Sequence, residues 1–227
     1  SPSSAASDVY KRQSQYYSTI LMSGTAPTPE FLEQVVGMNN VFPMNSDDFD
    51  VPNYSKENLS VIVFTSLTSS YRKRSHEMYR AYAELIDKVF NNSDYGVILA
   101  VYPSYEFMNH VLQYLEGAEP SIIETDDLSI GNVLAKCREL TKVLINAVAG
   151  GKFTEGIEII RNGESLIKVI IIAGVPYPQP DDYINAIKSI MTSRGSSFSD
   201  FYRVIAATRT LQALGRAIRS KEDYAIA

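Results

Sequence analysis

One cysteine, Cys137, stands among 227 residues. That excludes an internal disulfide framework, a four-cysteine zinc site and a self-contained iron–sulfur cluster. Histidine is nearly as scarce: His76 and His110 fall in unrelated segments without HExxH-like spacing, so neither is read as a metal ligand. Basic excess is missing as well. The 21 Lys and Arg against 26 Asp and Glu leave a formal charge of −5. This excludes a globally basic coat while leaving room for a local basic groove. No apolar run approaches the ~18 residues of a membrane span, and no charged start followed by an apolar stretch reads as a secretory signal. Gly-x-Ser-x-Gly, Gly-x-Gly-x-x-Gly and Cys-x-x-Cys are all absent, which removes three common catalytic and cofactor signatures. A soluble, intracellular globular chain is expected.

What is present is apolar periodicity. Hydrophobic residues make up 45% of the chain, and a chain of this length buries roughly 70% of its unfolded surface, enough for a real core. Residues 1–14 read as a linker or frayed end. The β-branched and aromatic run Tyr16 to Met22 reads as a strand stopped by Ser23-Gly24-Thr25. Asn45 to Ser55, rich in Asp, Asn and Pro, reads as a loop, and Val61-Ile62-Val63-Phe64 as a short buried strand. Over 72–91, Met78, Tyr82, Leu85 and Val89 recur at helical spacing. Strands over Val97 to Tyr102, Ile122-Ile123, Val143 to Ile145 and Ile167 to Ile172 then alternate with helices over Phe107 to Leu115 and Val133 to Leu140. Helices around 181–192 and 199–219 follow. Strands without polar alternation are buried on both faces, as a parallel sheet wrapped by helices requires. The expected fold is α/β, an open, mostly parallel sheet with helices on both faces. Ligands of such sheets meet the loops at the carboxyl ends of strands.

Two segments carry the strongest chemistry. Ala149-Gly150-Gly151-Lys152-Phe153-Thr154-Glu155-Gly156-Ile157-Glu158 is glycine-rich, which permits close approach of backbone to a ligand. It is not a phosphate loop, because Asn146 and Phe153 stand where Gly and Ser/Thr are needed. Taken alone, it reads as an ordinary turn. Near the C-terminus, Gln212-Ala213-Leu214-Gly215-Arg216-Ala217-Ile218-Arg219 is read as helical, placing Gln212, Arg216 and Arg219 on one face. Two guanidiniums so placed suit phosphate oxygens; a solvated basic stripe is the plain alternative. Pro103-Ser104-Tyr105 follows a strand, with Ser104 as a simple helix cap the bland account. Tyr71-Arg72-Lys73-Arg74 is a basic cluster beside an aromatic ring, or merely a solvated helix start. Cys137 sits in a helical pattern and reads as core.

In order along the chain, these segments resemble the second half of an XPD-type superfamily 2 DNA helicase (XPD/DinG-like). Ser23-Gly24-Thr25 resembles helicase motif III, and Val101-Tyr102-Pro103-Ser104-Tyr105 with Met108 resembles motif IV. Gly151 to Ile157 resembles motif V and Gln212 to Arg219 motif VI; Gly174-Val175-Pro176-Tyr177-Pro178 also fits the family between them. Motif V usually ends in Asp, where this chain has Glu158.

The resemblance implies a RecA-like second motor domain over 26–227, stopping within the strand after motif VI. Residues 15–25 are then the last strand of a first motor domain. It implies ATP and Mg²⁺ shared with that first domain, and a 4Fe-4S cluster expected only there. Arg216 and Arg219 would reach the γ-phosphate and Gln212 would position water or phosphate. Gly24, Thr25, Glu155, Gly156, Glu158 and Gly215 would bind or couple nucleotide. Ser104, Tyr105, Lys152, Thr154 and Arg74 would hold single-stranded DNA. An archaeal relative is suggested by the compact loops, with 5′-to-3′ translocation, nucleotide excision repair and a cytoplasmic location (nuclear if eukaryotic) also implied. The fragment alone is expected to hydrolyse no ATP. The alternative is a non-catalytic α/β protein-interaction domain, which salt-sensitive single-strand binding would separate from the helicase reading.

Overall fold

The computed structural model describes residues 17–227 except 27, 34–36, 50, 51, 95, 156, 157, 194 and 196. Its centre is β2 (Gly96–Tyr102), where every residue from Val97 to Tyr102 is at most 1% exposed. A strand apolar on both sides needs a cover on both sides, and the chain supplies it. The strands β1 (Leu59–Ser60), β3 (Ser121–Ile123), β4 (Lys142–Val148), β7 (Ile167–Ile172) and β8 (Ala225–Ile226) join β2 in the order β1-β8-β7-β2-β4-β3, every pairing parallel. A separate hairpin pairs β5 (Ile160–Arg161) with β6 (Glu164–Ser165).

The pleat of β2 sorts the core. Val97, Leu99 and Val101 pack with Val133 and Cys137 of α5 (Ile130–Glu139), with Ala213 of α7 (Phe198–Leu214), and with Ala217 and Ile218 beyond it. Ile98, Ala100 and Tyr102 pack with Met78, Tyr82 and Ile86 of α3 (His76–Asn91) and with Phe107, Met108 and Val111 of α4 (Tyr105–Leu112). Helices on both faces of a parallel sheet are the expected fold class.

Contacts divide the chain into Ser1–Asn45 with Pro180–Phe201, and Ser46–Gln179 with Tyr202–Ala227. In the first unit, α1 (Pro29–Phe31) starts at a Thr28 cap and its Phe31 stacks on Phe201 at 5.7 Å. There α6 (Asp182–Ser193) buries Ile184 and Met191. All the strands among the described residues lie in the second unit, as does α2 (Tyr54–Asn58), capped by Asn53.

Three expectations are corrected. Residues 17–22 of the expected Tyr16–Met22 strand form no strand, and Ile20 and Met22 are exposed; Tyr16 lies outside the described residues. A β-rich run is a strand only beside a pairing edge, and these residues have no ladder among the described ones. Val61–Phe64 is exposed, not buried, because the pairing falls on Leu59–Ser60 just before it, continued by the Ile62 N–H donating to the Ala227 carbonyl at 2.7 Å. The helix expected over 199–219 stops at Leu214, and this one bears on the site.

Candidate functional site

The loop leaving β4 folds on Thr154. Its hydroxyl accepts the Gly150 N–H at 2.9 Å and shares its proton between the carbonyls of Val148 (3.0 Å) and Gly151 (3.1 Å). Thr154 is 1% exposed, so its side chain holds the loop together and presents nothing to solvent. Gly150 has φ +82°, a conformation only glycine adopts freely, and a β-carbon there would meet Glu155 and the Arg209 guanidinium within 4 Å. Gly156 lies outside the described residues.

Arg216 and Arg219 do not share a helical face. The last helical bond is Gly215 N–H to Leu211 O, after which Arg216 and Ala217 bond three residues back and the chain turns. Gln212 lies in the last turn of α7 and Arg216 beyond its end. Tertiary contacts bring the arginines to the loop instead. Arg216 Nε donates to the Thr154 carbonyl at 3.0 Å, and the Arg216 carbonyl accepts from Ser165 Oγ at 3.3 Å. Arg219 Nη1 lies 3.7 Å from Glu158 Oε1. Burial, and then the neighbouring Arg219 charge, lower the Arg216 pKa, against the opposite pull of Glu155 and Glu158. Two guanidiniums held close enough to repel, one half-buried, form a surface that a multiply charged anion relieves.

The anchor beneath them is Asp223, which has no exposed surface. Its carboxylate accepts the N–H groups of Ser165 (2.7 Å), Arg219 (2.9 Å) and Ser220 (2.9 Å). Burial pushes this carboxyl up, but the three N–H donors and the Ser220 hydroxyl outweigh it and leave the pKa lowered.

A second cluster lies around the start of α4. Ser104 Oγ accepts the Phe107 N–H at 3.2 Å, the helix cap foreseen as its plain role. Tyr105 follows it, 43% exposed, its phenol pKa raised by burial and by the negative charges of Glu124 and Asp126. Arg74 lies 5.1 Å from the Tyr71 ring centre and 5.2 Å from that of Phe107, and 4.0 Å from Glu106. Lys152 turns its ammonium onto the carbonyls of Thr125 (3.3 Å) and Asp126. Gly24 and Thr25 belong to the first unit, in an exposed turn where the Thr25 N–H donates to Ser23 Oγ at 3.2 Å.

Cys137 is buried, which pushes its thiol up to about 11 and leaves no thiolate nucleophile. His76 Nδ1 hydrogen-bonds the Tyr114 hydroxyl at 2.7 Å and His110 stacks on Tyr79. Among the described residues no group of three or more His, Cys, Asp or Glu is placed to hold a metal ion. Nor is any helix long and apolar enough to cross a membrane. Sequence reading missed Glu124, Ser165 and Asp223, three buried polar residues each with a partner more than 20 residues away; a carboxylate directly after the apolar Ile122-Ile123 was the one visible sign.

The helicase C-terminal domain family matches residues 86–227. ATP-dependent DNA helicase XPD of Sulfolobus acidocaldarius is 32% identical over 208 residues, covering 91% of this chain and 37% of that protein. ATP-dependent DNA helicase CHL1 of Kluyveromyces lactis is 26% identical over 247 residues, 91% of this chain and 28% of its own length. A solved structure described as "XPD_Helicase" superposes with a TM-score of 0.80 at 32% identity, over 92% of this chain and 38% of that one. The chain thus spans between 28% and 38% of the length of these curated and solved relatives.

Proposed function

Because the chain belongs to the helicase C-terminal domain family, we propose that it is the second motor domain of an XPD-type ATP-dependent DNA helicase. The observation that carries this reading is the Arg216–Arg219 pair at the loop leaving β4, Arg216 donating to the Thr154 carbonyl and Arg219 3.7 Å from Glu158. ATP binds between this domain and a first motor domain, the protein partner in the proposal, which holds the phosphates and Mg²⁺. Residues 15–25 belong to that first domain and bring Gly24 and Thr25 to the nucleotide. Among the described residues no cluster is placed to hold a metal ion, and a single cysteine cannot hold a four-iron cluster.

Arg216 and Arg219 neutralise charge that spreads over the γ-phosphoryl oxygens as it transfers. Gln212, Gly215, Glu155 and Glu158 line or couple that site. The Arg219–Glu158 pair, at 3.7 Å, gives way when phosphate competes for the guanidinium. Single-stranded DNA lies across Ser104, Tyr105 and Arg74, with Tyr105 as a stacking platform; Lys152 and Thr154 support that surface from the loop. Translocation 5′ to 3′, nucleotide excision repair and a cytoplasmic or nuclear location belong to the same proposal.

The test is steady-state ATPase of the full-length helicase with saturating single-stranded DNA. Arg216→Ala or Arg219→Ala lowers kcat by at least ~10²-fold and moves KM for ATP much less. Lys at either position rescues poorly, lacking the planar two-pronged donor set. Near-normal kcat in both Ala variants would leave the arginines a solvated stripe and overturn the reading.

A further inference from the structure

Glu124, at the end of β3, is a carboxylate with 1% exposure. An ionised carboxylate is removed from water only where donors replace the water it loses. The donors here come from one place: the Val148 N–H at 2.8 Å and the Lys152 N–H. The next two residues complete the grip, their carbonyls receiving the Lys152 ammonium. Gly151 records the same contact independently. A β-carbon there would lie 2.5 and 2.6 Å from the Glu124 carboxylate oxygens, so glycine is what lets the loop lie against the acid. The far end of that loop is the Thr154 carbonyl that holds Arg216 at 3.0 Å. On its other side, Glu124 and Asp126 act electrostatically on the exposed Tyr105.

We propose that Glu124 is a positioning residue: it fixes the loop leaving β4 and, through the Thr154 carbonyl, the guanidinium of Arg216. The proposal rests on the reading of Arg216 as the group that meets ATP. It also assigns the Lys152 ammonium to the clamp and away from the DNA phosphates.

A double-mutant cycle on the full-length helicase separates the two ideas. Glu124→Gln keeps the shape but sets an amide NH₂ where a backbone N–H needs an acceptor. With saturating single-stranded DNA, Glu124→Gln is expected to lower kcat about tenfold, with KM for ATP within about twofold. In an Arg216→Ala background the same change moves kcat by less than about twofold, because the group it positions is gone. Equal losses in both backgrounds, or normal kcat for Glu124→Gln alone, overturn the proposal. Normal kcat for Arg216→Ala alone brings down the arginine reading first, a distinguishable failure. Should Glu124→Gln not fold, Lys152→Met decides, since it keeps the Lys152 N–H and removes only the ammonium. A loss of about threefold in kcat with unchanged single-strand Kd supports the clamp. A weakened Kd with unchanged kcat makes Lys152 a phosphate contact and overturns it.

Discussion

Asn146 has no exposed surface and sits in the middle of β4, a place where an apolar residue is the rule. It is tolerated because both ends of its amide are used. Its oxygen accepts the Tyr102 hydroxyl at 2.8 Å and its NH₂ donates to Ser121 Oγ at 2.9 Å. The Tyr102 phenol, enclosed by the core and near Asp87, has its pKa raised and stays a neutral donor. Asn146→Leu keeps the volume but strands that hydroxyl, at a cost of about 1–3 kcal/mol. Adding Tyr102→Phe removes the stranded group, so the double variant is expected to be the more stable of the two. Urea midpoints of the three proteins check this, and a double variant no better than Asn146→Leu would assign the loss to packing.

Among the elements, α3 and α7 differ in how much of them was legible. The spacing of Met78 and Tyr82 marked α3, and Ser75, whose Oγ accepts the Met78 N–H at 3.2 Å, fixes its start. Of the stretch 72–75 expected to begin it, Arg72 and Lys73 fall in a separate 3-10 turn, Tyr71–Lys73, and Arg74 and Ser75 are extended, because a cap announces itself only once the residues after it are helical. The end of α7 was not legible at all. Its apolar pattern runs on past Gly215, and the chain turns because Arg216 is claimed by Thr154 and Ser165, 62 and 51 residues away. Periodicity reads neighbours in sequence and is blind to such anchors. Hence both guanidiniums were identified as a pair while their geometry was wrong. Caps give a clean comparison between structure and function. Ser75→Ala and Ser104→Ala should each cost about 1 kcal/mol of stability. Only Ser104→Ala should also weaken single-stranded DNA binding, measured by titration of the full-length helicase at fixed salt; equal affinities would leave Ser104 a cap alone.

For the whole molecule, the order of the sheet was out of reach of sequence reading, because a buried strand looks the same in any position. The class and both helical layers were legible, since continuous apolar runs alternate with amphipathic ones. Asp223, which ties the segment after Arg219 to the β5–β6 hairpin, gives the fold a measurable pH dependence. Its folded pKa is lowered from an unfolded value near ~3.9. The stability it contributes is therefore present above pH ~4 and is lost as pH falls through the folded value. In urea unfolding between pH 3 and 7, wild type minus Asp223→Asn should be constant above pH ~5 and shrink below ~4. A difference that persists at the acid end would mean the carboxylate charge is not what holds the segment. The pairing of Leu59 with Ala225 and of Val169 with Ile226 has a further consequence. A ribosome adds ~5–20 residues per second, so roughly 8–30 s separate the making of β1 from the making of its neighbour. Until then the β7 edge has no partner on that side. For a nascent chain, the synthesis of Ala225 and Ile226 decides whether that open sheet edge is closed or left to recruit strands from other chains.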